Sequence, residues 1–379
     1  MNAVHESAAQ IRTAGDRVVA DISDINLIEN IRFLRGLAGN RKIMQVVKAD
    51  AYGHGIDLVA PVLAAEVDGM AVATIDEGIR LRDILLNVKH GNNCRIQILS
   101  GYLSNAHLDL IAEFGFDCTF HCREQIELFL SQSVHIESVW LEVETGMNRL
   151  GINIDCVAET VLQLKNSNRV SNIYLMTHLA NADIIDEPTN RAQIERLQTL
   201  ENLDLPMSIS NSGGLLQNLE QSCQWIRPGI STFGVDPTES VASARLKPVM
   251  RLRSRIMSVA QRNPDDRVGY GGTYTCKERE FIAAVACGYA DGYPRLQHDA
   301  AAVSVHGKRA PLAGRVSMDS LSVNVTDIEN TGLGDWVELW GSHISVSDVA
   351  RWNNTIPYEL LCRISDRVPR RMCSEIDND

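Results

Sequence analysis

From residue 40 to about 230 the chain alternates short apolar, β-prone runs with longer amphipathic stretches, and this rhythm limits the folds open to it more than any other feature. The runs span residues 43–47, 69–74, 95–99, 117–120, 138–143, 172–177, 207–210 and 224–226, eight in all. Apolar residues at helical spacing fill several of the gaps, at 75–86, 123–131 and 155–165. Eight strands alternating with helices is the count of a (β/α)8 TIM-type barrel, and an open doubly wound sheet is the alternative that periodicity leaves standing. After Gly234 the texture changes to β-prone runs at 249–259, 281–286, 301–305, 321–325 and 336–340, separated by turn residues such as Asn263-Pro264 and His306-Gly307. The expected division is an N-terminal tail over 1–16, a barrel over 17–240 and a mostly β C-terminal domain over 241–379. The run 18–22, ahead of a helix at 25–37, fits either domain.

Composition narrows the function classes. Hydrophobic residues at 45% and charged residues at 22% exclude disorder and a fibrous fold. Lys plus Arg number 36 against 48 for Asp plus Glu, and the resulting charge of -12 repels nucleic acid and anionic membranes. Aromatic residues at 5% give little material for base stacking. The nine cysteines are odd in number and dispersed, which reads as a reduced chain rather than a disulfide framework. Cys118 and Cys122 stand four apart, yet no second cluster completes a zinc site. The first sixteen residues carry no apolar leader core, and no later stretch is apolar for the length of a membrane span, so a cytoplasmic protein is expected.

The chemistry-bearing residues fall at strand ends. Lys48 closes the first barrel run, ahead of Ala49-Asp50-Ala51-Tyr52-Gly53-His54-Gly55, at the rim where barrel active sites are built. A lysine desolvated there can lose its proton and act as a Schiff-base nucleophile; judged alone, it reads more readily as a surface lysine before a Gly-rich turn. Later strands end in Glu142 to Gly151, which carries Arg149, then in His178, in Asn211-Ser212-Gly213-Gly214 and in Arg227-Pro228-Gly229-Ile230. The last two barrel loops are a common phosphate site. A lysine carbonyl trap, a phosphate cradle and arginines on one rim suggest pyridoxal 5'-phosphate.

With Val47-Lys48-Ala49-Asp50-Ala51-Tyr52-Gly53-His54-Gly55, the sequence resembles the alanine racemase family, the fold-type III pyridoxal-phosphate amino-acid racemases. The resemblance continues through Val268 to Tyr274, Gly288 to Arg295, Gly314 to Asp319 and Ile364 to Arg370, and covers roughly residues 17–371 in the family's order. It implies that Lys48 holds the cofactor covalently and, once released, serves the Cα proton of the D-enantiomer. Tyr270 would serve the L-enantiomer, with His178 and Arg227 as its relay, since a phenol needs positive neighbours to work as a base. Arg227 would also face the pyridine nitrogen. Tyr52, Ser212 and the backbone of Gly229 and Ile230 would take the phosphate. Arg149 and the Met318 N–H would hold the substrate carboxylate region and the cofactor's phenolic oxygen. Tyr289 and Asp319 would support the site, although Tyr289 and Met318 also suit plain packing. In the family the catalytic tyrosine and this methionine reach the cofactor from the partner subunit, which implies a homodimer with shared sites acting on a small amino acid.

Two positions depart from the family. Many members carry, seven residues before the arginine, a lysine modified by CO2; this chain has Glu142, expected to support Arg149 through a charge-assisted hydrogen bond. The family commonly has a tyrosine where Asp366 stands, so the pocket should open and could admit serine or basic side chains, unless Asp366 turns away to pair with Arg367 or Arg295. Asp183, Arg295, Arg315 and Ile364 match the family's outer corridor. A barrel-type decarboxylase would need a carboxylate opposite the pyridine nitrogen, where Arg227 stands. A non-catalytic cofactor-binding barrel would lack the β domain.

Overall fold

The computed structural model describes residues 17–89, 91–238, 244–295 and 299–374; the expected tail over 1–16 lies outside them. The chain divides into two compact units, residues 26–247 and the two segments 17–25 and 248–374.

The first unit is a closed parallel barrel. Strand β1, Val18–Ser23, belongs elsewhere; the barrel strands are β2 (Lys42–Val46), β3 (Gly69–Val72), β4 (Arg95–Ile98), β5 (Asp117–Phe120), β6 (Ile136–Glu144), β8 (Val170–Met176), β9 (Met207–Ser208) and β10 (Trp225–Ile226), with a two-residue strand β7 (Ile152–Asn153) beside β6. Each pairs in parallel with the next, and β10 returns to β2 through Trp225 opposite Lys42, so the barrel has no open edge. All eight expected runs are strands, and the helices Ile75–Leu86 and Arg123–Ser131 have the expected bounds. The helix Ile75–Leu86 starts where Thr74 accepts the Glu77 N–H and Glu77 answers to the Thr74 N–H, a capping box that stops the preceding strand.

Contacts across the lumen reveal which side chains point inward. Arg95 on β4 donates to the Tyr174 hydroxyl on β8 at 2.9 Å, and Gln97 reaches Met176 Sδ at 3.4 Å, although β5 and β6 separate these strands in the sheet. Trp140, Tyr174 and Trp225 pack together on the same inner face, with Trp140 stacked on Tyr174 at 4.4 Å. Side chains alternate along a strand, so the inward series continues from Trp140 to Glu142, from Tyr174 through Met176 to His178, from Trp225 to Arg227 and from Thr119 to His121. The aromatic cluster fills the barrel floor, and the polar end of each series lies at the carboxyl mouth.

The second unit is mostly β. Strands Met250–Arg262 (β11), Ala302–Val305, Lys308–Pro311, Trp336–Trp340, Val18–Ser23 and Arg370–Cys373 (β19) form one sheet, extended by Glu280–Val285 and Leu321–Asn324. All six residues of β1 are buried, and the strand lies between β11 and β19. The strand 18–23 therefore belongs to the β unit, whereas the expected division had started the barrel at residue 17. A separate short hairpin, Arg267–Val268 with Tyr274–Thr275, carries Tyr270 at its tip.

Candidate active site at the barrel mouth

Lys48 lies two residues beyond the end of β2 and is exposed at the mouth. The next four residues, Ala49, Asp50, Ala51 and Tyr52, all have left-handed helical φ, between 52° and 55°. Left-handed turns of non-glycine residues crowd Cβ against the backbone carbonyl and normally occur one residue at a time. Here a full turn is closed by hydrogen bonds from the Ala51 N–H to the Val47 carbonyl, 3.0 Å, and from the Gly53 N–H to the Ala49 carbonyl, 2.9 Å. Side chains brace it. Glu77 accepts the Ala49 N–H, His54 Nδ1 lies 3.1 Å and 3.0 Å from the carbonyls of Ala51 and Tyr52, and Asp50 accepts the Ile56 N–H while pairing with Arg80.

This turn delivers Tyr52 to a cradle built by the last two barrel loops. A Cβ at Gly229 would stand 2.4 Å from the Tyr52 hydroxyl, so only glycine permits the approach. Ser212, on the short helix Ser212–Leu216 capped by Asn211, accepts the N–H of Gly229 at 2.9 Å and of Ser231 at 3.3 Å. Its own hydroxyl proton goes to no acceptor among the described residues. The hydroxyls of Ser210 and Ser231 are likewise buried and unbonded among the described residues. Buried hydroxyls usually bond to protein, to ordered water or to a ligand, so these are available to one. Ile230 begins the 3-10 turn that follows Gly229. Hydroxyl donors around a glycine turn, beside a lysine, fit the phosphate and the aldehyde of pyridoxal 5'-phosphate.

The electrostatics follow from burial. Arg227 is buried; its guanidinium donates to Ser208 Oγ and to the Thr177 carbonyl, each at 2.5 Å. Desolvation pushes its pKa down to about 10, partly countered by the negative charge of Glu142, so it remains a cation at neutral pH. Burial, with the charges of Arg227, Arg149 and Lys48, pushes His178 down to about 3 and keeps its imidazole neutral. Burial raises the Glu142 carboxyl, which is opposed first by Arg227, then by His121 and then by Arg149. Among the described residues no hydrogen bond joins Glu142 to Arg149. Arg149 is exposed just beyond β6, and Glu142 faces the lumen with Arg227 as its principal counter-charge. Sequence reasoning missed His121, Ser210 and Ser231; the inward parity of β5, applied onward from Thr119, was the signal for His121.

The remaining expected site residues lie in the β unit. Tyr270 is 71% exposed, Met318 53% and Tyr289 38%, in contrast to Tyr293, which is buried. The loops bearing Tyr289 and Met318 are tied together: the N–H groups of Tyr289 and Ala290 donate to the carbonyls of Ser317 and Met318, each at 3.0 Å. Asp319 accepts from Arg367 at 2.6 Å. Arg367 is thus engaged by Asp319 and by the buried Asp291, and the pairing expected with Asp366 is not formed. Asp366 is exposed and, among the described residues, makes no ion pair.

Comparison with known proteins agrees with this architecture along most of the chain. The sequence pattern described as "Alanine racemase, N-terminal domain" matches residues 22–237, and "Alanine racemase, C-terminal domain" matches 249–372. An alanine racemase of Pseudomonas taetrolens is 39% identical over 354 residues, 92% of this chain and 97% of that relative. The biosynthetic alanine racemase of Pseudomonas aeruginosa superposes with a TM-score of 0.88 at 35% identity, covering 94% of this chain and 99% of that one. The alanine racemase of Bartonella henselae with covalently bound pyridoxal phosphate gives 0.85 at 27% identity, covering 94% and 100%. The two matched patterns and these relatives place the chain among the amino-acid racemases. The chain belongs to the alanine racemase family. No helix among the described residues is long and apolar enough to cross a membrane.

Proposed function

We propose that the chain interconverts L- and D-alanine with pyridoxal 5'-phosphate held by Lys48. The observation that carries the reading is the cradle beside that lysine, where the Tyr52 hydroxyl closes on Gly229 and Ser212 binds the N–H groups of Gly229 and Ser231. When bound, the cofactor supplies the electron sink that makes the substrate's Cα–H acidic. Racemisation then needs a base on each face of Cα. The Lys48 amine takes the proton from the D-enantiomer or returns it, and the Tyr270 phenolic oxygen does the same for the L-enantiomer. Arg227 keeps its proton at working pH, so toward a ring nitrogen it donates a hydrogen bond and no proton. His178, neutral, can pass a hydrogen bond between Arg227 and the tyrosine base. Arg149 and the Met318 N–H bind the substrate carboxylate region.

The exposure of Tyr270, Met318 and Tyr289 supports a homodimer in which each β unit serves the partner's cofactor, since large side chains left in water suit an intersubunit role. Asp366 favours a second reading of specificity, an enzyme accepting serine or basic amino acids as well, because its carboxylate makes no ion pair among the described residues. Chiral analysis after incubation with L-Ala, L-Ser, L-Lys and L-Arg tests both. Turnover of L-Ala is expected; strong turnover of another amino acid without L-Ala overturns the alanine assignment. Tyr270→Phe should abolish L-to-D conversion, and retained conversion refutes the two-base scheme.

A further inference from the structure

We propose that Glu77 is a positioning residue for Lys48. A capping box needs only one bond from this glutamate, to the Thr74 N–H, and that bond is its longest, 3.2 Å. The shorter two reach the ends of neighbouring barrel strands: Oε2 accepts the Ala73 N–H beyond β3 at 2.8 Å, and Oε1 accepts the Ala49 N–H beyond β2 at 2.7 Å. Ala49 is the residue after Lys48 and the first of the left-handed turn. One carboxylate therefore anchors the backbone next to the lysine to the start of a helix, Ile75–Leu86, that is itself packed on the barrel. The charge matters as well as the shape. An ionised carboxylate accepts three N–H bonds, whereas a carboxamide has one acceptor oxygen, and its amino group would face an N–H donor. The anchor fixes where Cα of Lys48 sits beside the strained turn, and hence where its amine meets the aldehyde.

The inference rests on the proposed role of Lys48, and the test separates the two. The whole protein is stripped of cofactor and mixed with pyridoxal 5'-phosphate. The C=N bond formed between Lys48 and the cofactor aldehyde is reduced with borohydride at timed intervals, and the resulting pyridoxyl-lysine is measured by mass. Wild type must label at Lys48; if it does not, the role of Lys48 fails before Glu77 is in question. With wild type labelled, Glu77→Gln should slow labelling by about tenfold to a hundredfold, the range expected when a reacting group is displaced by about an ångström. It should also shift the pH midpoint of the cofactor's visible band in the folded protein. Glu77→Asp keeps the charge at the helix start but is too short to span to Ala49, and it carries the same expectation should Glu77→Gln not fold. Thr74→Ala breaks the cap without touching Ala49 and should label as wild type does. Equal slowing in Thr74→Ala, or wild-type rate and midpoint in the folded Glu77 variants, overturns the proposal.

Discussion

Replacing Ala49 by glycine should stabilise the barrel, against the usual penalty for that substitution. Ala49 has φ 53° and ψ 54°, in the left-handed region, and its side chain is exposed, so removing the methyl group forfeits no burial. A non-glycine residue pays about 1–2 kcal/mol to be there, and glycine loses roughly 0.5–1 kcal/mol through the freedom of the unfolded chain. The difference favours glycine by about 0–1.5 kcal/mol. In a unit of this size about 1 kcal/mol moves the melting temperature by roughly 2–4 °C, so a rise of up to about 5 °C is expected. Ala112→Gly is the control: it is also exposed, but lies in the ordinary right-handed helix Asn105–Glu113, where the change should cost about 1 kcal/mol and lower the melting temperature. Both variants are melted without cofactor in one buffer, followed by circular dichroism. If Ala49→Gly lowers the transition as much as Ala112→Gly does, the strain assigned to the turn is absent and the reasoning fails.

Other consequences are checked more briefly. Gly229→Ala places a methyl group 2.4 Å from the Tyr52 hydroxyl, so affinity for pyridoxal 5'-phosphate, followed by fluorescence titration of the cofactor-free protein, should fall at least about tenfold. His178 has its pKa lowered from 6.5 to about 3, so between those values the unfolded chain takes up a proton that the folded one refuses, and stability declines as pH falls through that window. His178→Asn should flatten the dependence of urea midpoint on pH between about 6.5 and 3; an unchanged slope would show that the imidazole is not held neutral. Glu142→Gln removes the principal negative charge facing buried Arg227 and should lower kcat/KM for alanine by about tenfold or more, while unchanged kinetics would remove any role for this carboxylate.

The barrel was legible because its evidence is local: each strand is a short apolar run, and each helix repeats apolar residues at its own period. The lysine, the Ser212 loop and the Gly229 loop were legible for the same reason, as motifs at predicted strand ends. What escaped was long-range. β1 could not be assigned from its own residues, since Val18 pairs with Ser254 and Ala20 with Arg370. The counter-charge of Glu142 was sought seven residues away at Arg149, whereas the lumen brings Arg227 to it from a distant strand. The left-handed turn has no signal in Lys48-Ala49-Asp50-Ala51-Tyr52, a segment whose alanines favour an ordinary helix. Its bracing by Glu77 exists only once the first two barrel strands are side by side.

The placement of β1 makes the barrel an insertion: the chain lays down one strand of the β unit, builds all of residues 26–247, and only then supplies β11 and, later still, β19. During synthesis the barrel can close while β1 waits with both edges unpaired and six residues that the finished sheet buries still in water. The β unit is therefore completed only once β19 has been made. A chain stopped before Arg370 would retain a closed barrel but leave one side of β1 open to strands of other molecules.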